Sequence, residues 1–399
     1  MPFPGDCAKV RNPGYGTIGA GMKPAPTRPI DCHSDRVADT AGMVKARPLF
    51  VVMVCSTLFA MAVHAEKVPT LVAPTLDGGL PLVIGHRGAA GHRPEHTLAS
   101  YELAIDYGVD FIEPDLVTTK DGVLIARHEN DISGTSDVAE KFPERRATKV
   151  IDGKKITGWF TEDFTLAEIK KLRARERLAF RNQGWNGIYE IPTFQEVIDL
   201  AKRRSAANGR IIGIYPETKH PSYFRSIGIP LEPLLLKALE ANGYADAGAP
   251  VFVQSFEVQN LKDLSRLTKV RLIQLMEDAR LQPYDFIAAG DRRSYGDLMT
   301  AKALAEIAAY AHGIGPWKRS IVPQGAHGAL LPPTSLVADA HKAGLVVHPY
   351  TFRDEPKFLA PDYQLDPTRE YLQFYRLGVD GVFSDFGDTA VRARAMLGR

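Results

Sequence analysis

Past residue 65 the chain has no cysteine, because the three it contains, Cys7, Cys32 and Cys55, all precede that point. A thiolate metal site, a cysteine nucleophile and a disulfide framework are thereby excluded downstream. Net charge is scarce too. Lys and Arg total 49 against 47 Asp and Glu, and seven basic and four acidic residues fall within 1–65, so the remainder is neutral to within one charge. No run of Lys and Arg marks a nucleic-acid or lipid-headgroup surface, and no nucleic-acid partner is expected. Internal repeats and low-complexity tracts are missing beyond residue 65, as is an apolar run of the about 20 residues that a comfortable membrane span requires.

The beginning of the chain is of a different kind. Met43 opens a short basic stretch with Lys45 and Arg47, an apolar run covers 49–62, and small residues stand at Val63 and Ala65 before the polar Glu66-Lys67. A positive flank, a short apolar core and small residues at the cut predict a secretory signal peptide over 43–65, hence a periplasmic or secreted protein with no stable membrane insertion after cleavage. Cys55 follows Val54 rather than a small residue, which speaks against a lipoprotein cut. Residues 1–42 are rich in Pro and Gly without hydrophobic periodicity, and they are expected to be a non-native extension preceding a true start at Met43. The remaining domain is then 66–399.

From residue 82 onward short β-rich apolar runs alternate with amphipathic helical patterns. Strands are predicted over 82–85, 110–117, 123–128, 210–217, 251–255, 271–276, 313–315, 345–350 and 381–385. Helices are predicted over 97–107, 193–202, 231–242, 258–267, 298–311, 335–343 and 367–377. Thr165-x-x-Glu168 and Thr193-x-x-Glu196 are capping boxes. Such alternation predicts a parallel sheet, and so many units predict a barrel. Nine strands is one too many for eight. The Asp121-Gly122 turn marks 123–128 as the returning arm of an antiparallel hairpin over the barrel mouth. The fold class expected is therefore α/β, an eight-stranded (β/α)8 barrel. The polar stretch of about 129–190 breaks the rhythm and reads as an inserted lid or subdomain with one short helix near 165–172. Residues 282–297 read as a plain surface loop.

Chemistry in such barrels sits at the C-terminal ends of the strands. The polar residues there are His86, Arg87, Glu95, Glu113, Asp115, His128, Glu217, Lys219 and Asp385. Residues 113 and 115 differ by two and so point the same way, as do 217 and 219. Side-by-side carboxylates in an apolar run repel each other unless a cation bridges them. Glu113, Asp115 and Glu217 supply oxygen donors only, which suits Ca²⁺ or Mg²⁺ over a transition metal. His86 and His128 titrate near neutrality and fit general acid and general base, in either order. Arg87 and Lys219 would hold phosphoryl oxygens. Glu95 would cap the helix after it or hold Arg87 or a histidine in register. His348 would line the pocket or pack in the core. Phe256, Trp317, Tyr350, Phe352 and Phe383 would offer apolar surface to substrate carbons or pack in the core. His92, His96, His220, His312, His327 and His341 receive no role.

Taken in order, these residues resemble the glycerophosphodiester phosphodiesterase family, periplasmic bacterial type. The matching text is Ile84-Gly85-His86-Arg87-Gly88, Pro94-Glu95-His96-Thr97, Ile112-Glu113-Pro114-Asp115, Lys120-Asp121-Gly122, Arg127-His128, Tyr215-Pro216-Glu217-Thr218-Lys219, Gln254-Ser255-Phe256, Gly313-Ile314-Gly315-Pro316, His348-Pro349-Tyr350 and Phe383-Ser384-Asp385. The resemblance spans roughly 80–395. It implies a TIM barrel with an insertion after the His128 arm, and hydrolysis of small glycerophosphodiesters to sn-glycerol 3-phosphate and an alcohol. It further implies His86 and His128 as the acid–base pair, Glu113, Asp115 and Glu217 on a divalent cation, commonly Ca²⁺, Arg87 and Lys219 on phosphate, and Glu95 in the same network. Glu129 and Asn130 depart from the Asp that commonly follows the second histidine, and Gly134 stands where many members carry Arg. Headgroup selectivity is where those departures act.

Alternatives sharing these residues are a phospholipase D-like activity on intact phospholipids, a wall-polymer hydrolase, and a binding protein that captures glycerophosphodiesters without cleaving them. Only the last has no need of both histidines. For the targeting segment, the exported protein is expected to begin at Glu66 by N-terminal sequencing. A peptide from residues 1–42 in the unprocessed protein would contradict the start at Met43.

Overall fold

The computed structural model describes residues 74–397. The expected extension, 1–42, the signal segment, 43–65, and the first residues of the 66–399 domain lie outside the described residues, as do the three cysteines.

Leu82–His86 is the first strand, and it pairs in parallel with Phe111–Glu113 on one side and Gly381–Ser384 on the other. Beyond Phe111–Glu113 the order continues in parallel through Gly213–Ile214, Phe252–Ser255, Arg271–Met276, Gly313–Pro316 and Val346–Val347. The ring closes where Asp380 N donates to Val347 O at 2.9 Å and Phe383 N to Pro349 O at 3.0 Å. Eight parallel strands thus form the expected barrel.

Two of these strands are broken by proline. Pro114 parts Phe111–Glu113 from Asp115–Thr118, and Pro216 parts Gly213–Ile214 from Glu217–Thr218. Proline has no N–H to give the ladder. The ladder survives because the neighbours bridge the gap, Tyr215 N donating to Ile112 O at 2.9 Å and Glu217 N to Pro114 O at 3.0 Å. The register then sets Glu113 beside His86, Asp115 beside Glu217, and Glu217 beside Gln254.

Side chains from six of the eight strands meet inside the barrel, with Ile84, Phe111, Tyr215, Phe252, Ile273 and Phe383 in one buried cluster. His348 belongs to this packing. It is 1% exposed and shares a 2.8 Å hydrogen bond with the Tyr215 hydroxyl, so of its two readings the core is the one observed. Phe352 and Phe383 are core as well, whereas Phe256, Trp317 and Tyr350 stay partly exposed. The larger apolar cluster lies between the strands and the helices outside them.

Helix starts follow the capping signals. Thr165 and Thr193 each close a capping box, and Thr97 accepts from Ser100 N to start Leu98–Asp106. Phe194–Asn208 runs longer than expected and stops at Gly209 in the left-handed region. The 282–297 loop is a correction. It contains the helices Tyr284–Ala289 and Tyr295–Leu298, the second opened by a Ser294–Asp297 capping box that the sequence carried openly.

Leu124–Ala126 is the expected antiparallel arm, paired with Asp115–Thr118. The insertion that follows holds the short helix Leu166–Ile169 near its expected place. It also holds an unexpected hairpin, Ala147–Ile151 with Lys154–Gly158, turned at Asp152-Gly153 with φ of 48° and 73°. Both central residues lie at positive φ, which is the reason for Asp-Gly there. Among the described residues no helix is long and apolar enough to cross a membrane.

Candidate active site

The site is built where the strands end. After His86 the chain turns sharply through Arg87 and Gly88 with φ of 58° and 88°. A β-carbon on Gly88 would lie 2.5–2.7 Å from Ser100 and Tyr101, so this turn requires glycine. The turn aims Arg87 N at Glu113 Oε2, 2.8 Å away. Glu113 and Asp115 flank Pro114 on one strand, and Glu217 comes from its neighbour. All three are buried, and one ligand oxygen from each lies within 4.8 Å of the others.

Burial pushes the Glu113 carboxyl well above the ordinary range, and Asp115 and Glu217 push it further. Glu217 is pushed up to about 8 by burial and Asp115, even with Lys219 Nζ 2.8 Å from its Oε1. Asp115 differs. Burial opposes its ionisation, yet His96, Lys219 and His128 hold its carboxyl well below the ordinary range. Three buried carboxylates with oxygens within 4.8 Å of one another cannot all ionise without added positive charge. The cluster therefore fits a hard divalent cation on oxygen donors.

Hydrogen bonding fixes the histidine tautomers, because an ionised carboxylate only accepts. Asp385 Oδ1 lies 2.6 Å from His86 Nδ1, so that nitrogen carries the proton and Nε2 keeps its lone pair. Glu129 Oε1 lies 2.8 Å from His128 Nδ1, and His128 Nε2 faces the Lys219 ammonium at 3.3 Å. Burial lowers both histidines, helped at His86 by Arg87 and at His128 by Arg87 and Lys219. Both imidazoles are accordingly neutral near pH 7, each with a free or lysine-facing Nε2.

His96 sits on the other side of Asp115. It is fully buried, donates from Nε2 to Asp115 Oδ2 at 2.8 Å and accepts at Nδ1 from the Tyr101 hydroxyl at 2.7 Å. Burial lowers it to about 4, so it stays neutral and orients one carboxylate. Glu95 does not cap the following helix, which Thr97 does. Its Oε2 instead accepts from Arg87 at 3.0 Å and from Arg177 at 2.9 Å. Burial opposes its charge, but Arg177 and Arg87 pull it well below the ordinary range.

All eight residues named from the sequence, His86, Arg87, Glu95, Glu113, Asp115, His128, Glu217 and Lys219, converge here. Others converge with them that had received no role. Asp385 stood at a strand end as a visible polar residue. His96 and His220 lie next to motif residues, and Glu129 directly follows His128. Arg177 and Arg181 lie in the insertion, where nothing local marked them. His220 has carboxylates at both nitrogens, Asp152 Oδ2 2.6 Å from Nδ1 and Glu129 Oε2 2.9 Å from Nε2. Burial lowers it, but Glu129 and Asp152 outweigh that and hold it up at about 10, a fixed cation.

Comparison with known proteins agrees with this geometry. The model of the glycerophosphoryl diester phosphodiesterase family matches residues 86–389. A glycerophosphodiester phosphodiesterase of Arabidopsis thaliana is 37% identical over 86% of this chain and 90% of its own length. One of Haemophilus influenzae is 31% identical over 78% and 88%. Among solved structures, one from Silicibacter pomeroyi superposes with a TM-score of 0.58 at 21% identity, over 82% of this chain and 96% of that one. An Oleispira antarctica phosphodiesterase, in complex with the product sn-glycerol-3-phosphate, gives 0.51 at 20% identity over 80% and 98%. At those identities the two structures show the shared fold.

A cation entering the carboxylate cluster must displace the proton that Glu217 carries below about pH 8. Calorimetric titration of Ca²⁺ or Mg²⁺ at pH 7, in buffers of different ionisation enthalpy, is expected to show proton release. Affinity should rise with pH up to about 8 and fall below it. Binding without proton release would contradict the ionisation described. With the barrel, the ordered site residues and these matches together, the chain belongs to the glycerophosphoryl diester phosphodiesterase family.

Proposed function

We propose that this enzyme hydrolyses small glycerophosphodiesters to sn-glycerol 3-phosphate and the free alcohol, dependent on a cation held by Glu113, Asp115 and Glu217. The observation that carries this reading is the convergence of that buried carboxylate cluster with two neutral histidines, each bonded to a carboxylate through Nδ1. The product found with the Oleispira phosphodiesterase supports the choice of sn-glycerol 3-phosphate.

His86 and His128 act as the acid–base pair in this reading. One Nε2 takes the proton of an oxygen nucleophile as it attacks phosphorus, and the other Nε2, after taking a proton from solvent with its Nδ1 carboxylate balancing the charge, gives that proton to the departing alkoxide. Arg87 and Lys219 neutralise phosphoryl oxygens, and Glu217, which Lys219 now meets at 2.8 Å, would help hold the cation. The cation, Ca²⁺ with Mg²⁺ as the alternative, would supply charge stabilisation worth several kcal/mol. All-oxygen ligation favours these ions over zinc or copper. Export is proposed from the 43–65 pattern, which places the reaction in the periplasm or outside the cell.

The test is release of glycerol 3-phosphate from glycerophosphocholine by the purified protein. Turnover is expected to vanish with EDTA and return with Ca²⁺ or Mg²⁺. His86→Ala and His128→Ala should each lower kcat by about 10²–10⁴-fold. Tight binding of the diester with no turnover under any cation would instead favour a capture protein.

A further inference from the structure

Each histidine of the proposed pair is oriented by a carboxylate, and a residue of the 129–190 insertion stands behind each carboxylate, Arg181 directly on Asp385 and Asp152 on Glu129 by way of His220. On one side, Asp152 in the hairpin turn meets His220 Nδ1 at 2.6 Å, His220 Nε2 meets Glu129 Oε2 at 2.9 Å, and Glu129 Oε1 meets His128 Nδ1 at 2.8 Å. On the other, Arg181 reaches Asp385 Oδ2 at 2.6 Å while Asp385 Oδ1 meets His86 Nδ1 at 2.6 Å. Arg181 is itself locked, by Glu355 at 2.7 Å and the Ala90 carbonyl at 2.9 Å, and Arg353 adds a second donor to Asp385 at 2.9 Å.

We propose that the insertion is a positioning element for both histidines, Asp152 acting on His128 through His220 and Glu129, and Arg181 acting on His86 through Asp385. The inference rests on the reading of His86 and His128 as the acid–base pair.

Physical economy supports it. The Glu129 side chain is 46% exposed, so its ion pairs add little to stability. What a two-sided clamp changes is orientation. A half-exposed carboxylate otherwise samples several rotamers, and His128 with it, whereas proton transfer requires a fixed Nε2. His220 is suited to the clamp because both its nitrogens donate, leaving it no competing acceptor role. Its backbone is left-handed, with φ of 48°, which turns the ring back toward Glu129. The Asp385 side is built differently, with Arg181 and Asp385 side chains only 5% and 2% exposed. There Arg181 and Arg353 both donate to Asp385 Oδ2, and the other oxygen, Oδ1, faces His86. Neither Asp152 nor Arg181 touches a carboxylate of the cation cluster in these contacts.

The test uses the full protein loaded with Ca²⁺, with glycerophosphocholine as substrate. Asp152→Gly keeps the positive-φ turn and removes the carboxylate, and Arg181→Gln removes the guanidinium. Each is expected to lower kcat about tenfold, the order of effect seen on removing a residue that orients a site group through another, with KM and Ca²⁺ affinity within about twofold of the parent. Asp152→Asn, which keeps the turn and an acceptor for His220, should recover most of the loss. Arg181→Lys keeps the charge but loses the planar guanidinium that spans Glu355, Ala90 and Asp385, should lie between, and decides that arm if Arg181→Gln fails to fold. Arg145→Gln, which cuts an ion pair of the insertion to Glu168, should match the parent. Parental kcat in the Asp152 and Arg181 variants, beside inactive His86→Ala and His128→Ala, overturns the positioning role. Activity surviving in those two alanine variants overturns the acid–base reading itself.

Discussion

Everything at the mouth of this barrel follows from placing Glu113, Asp115 and Glu217 together out of water. Burial alone would neutralise all three, and their mutual repulsion would do so again. The structure divides the burden. Asp115 stays ionised because His96, Lys219 and His128 surround it, while Glu113 and Glu217 are driven toward their protonated forms. Such a site is held short of positive charge by its own architecture, and a divalent cation would make up that shortage. Pro114 and Pro216 contribute by interrupting two strands next to the ligands without ending their ladders.

The same accounting of donors and acceptors extends outward. Carboxylates at Nδ1 leave the Nε2 atoms of His86 and His128 available, an arrangement that needs no proton to be located by eye. His220, with a carboxylate at each nitrogen, and His96, with a carboxylate on one side and a hydroxyl on the other, are set to opposite charge states by the same rule. What faces each nitrogen therefore sets the charge state of all four histidines in the site.

Much of this was legible in the sequence. The two-residue spacing of 113 and 115, and of 217 and 219, placed acids and a lysine on common faces because strand geometry has a period of two. Strand–helix alternation read as the barrel, and Asp121-Gly122 correctly separated the hairpin arm from the eight. The identical signal at Asp152-Gly153 is weaker because its flanking stretches, Ala-Thr-Lys-Val-Ile and Lys-Lys-Ile-Thr-Gly, do not alternate apolar with polar residues. Ser294-x-x-Asp297 is likewise a capping box in plain view, but the helix it opens spans only Tyr295–Leu298 and has no apolar period to reinforce it. The pairing of Asp385 with His86, and of Arg181 with Asp385, joins residues far apart in the chain, and no local period encodes such contacts. His348 was undecidable from position alone, since a strand-end histidine faces either the mouth or the packed interior, and only Tyr215 across the barrel settles which.

The central claim is that the three carboxylates hold a cation with a histidine on each flank of the substrate phosphorus. Diffraction from crystals grown with Ca²⁺ and a non-hydrolysable phosphonate analogue of a glycerophosphodiester tests it most directly. The account predicts an anomalous peak bounded by Glu113, Asp115 and Glu217, with the phosphonate between the Nε2 atoms of His86 and His128. A cation bound elsewhere, or a phosphonate group out of reach of both histidines, would contradict it.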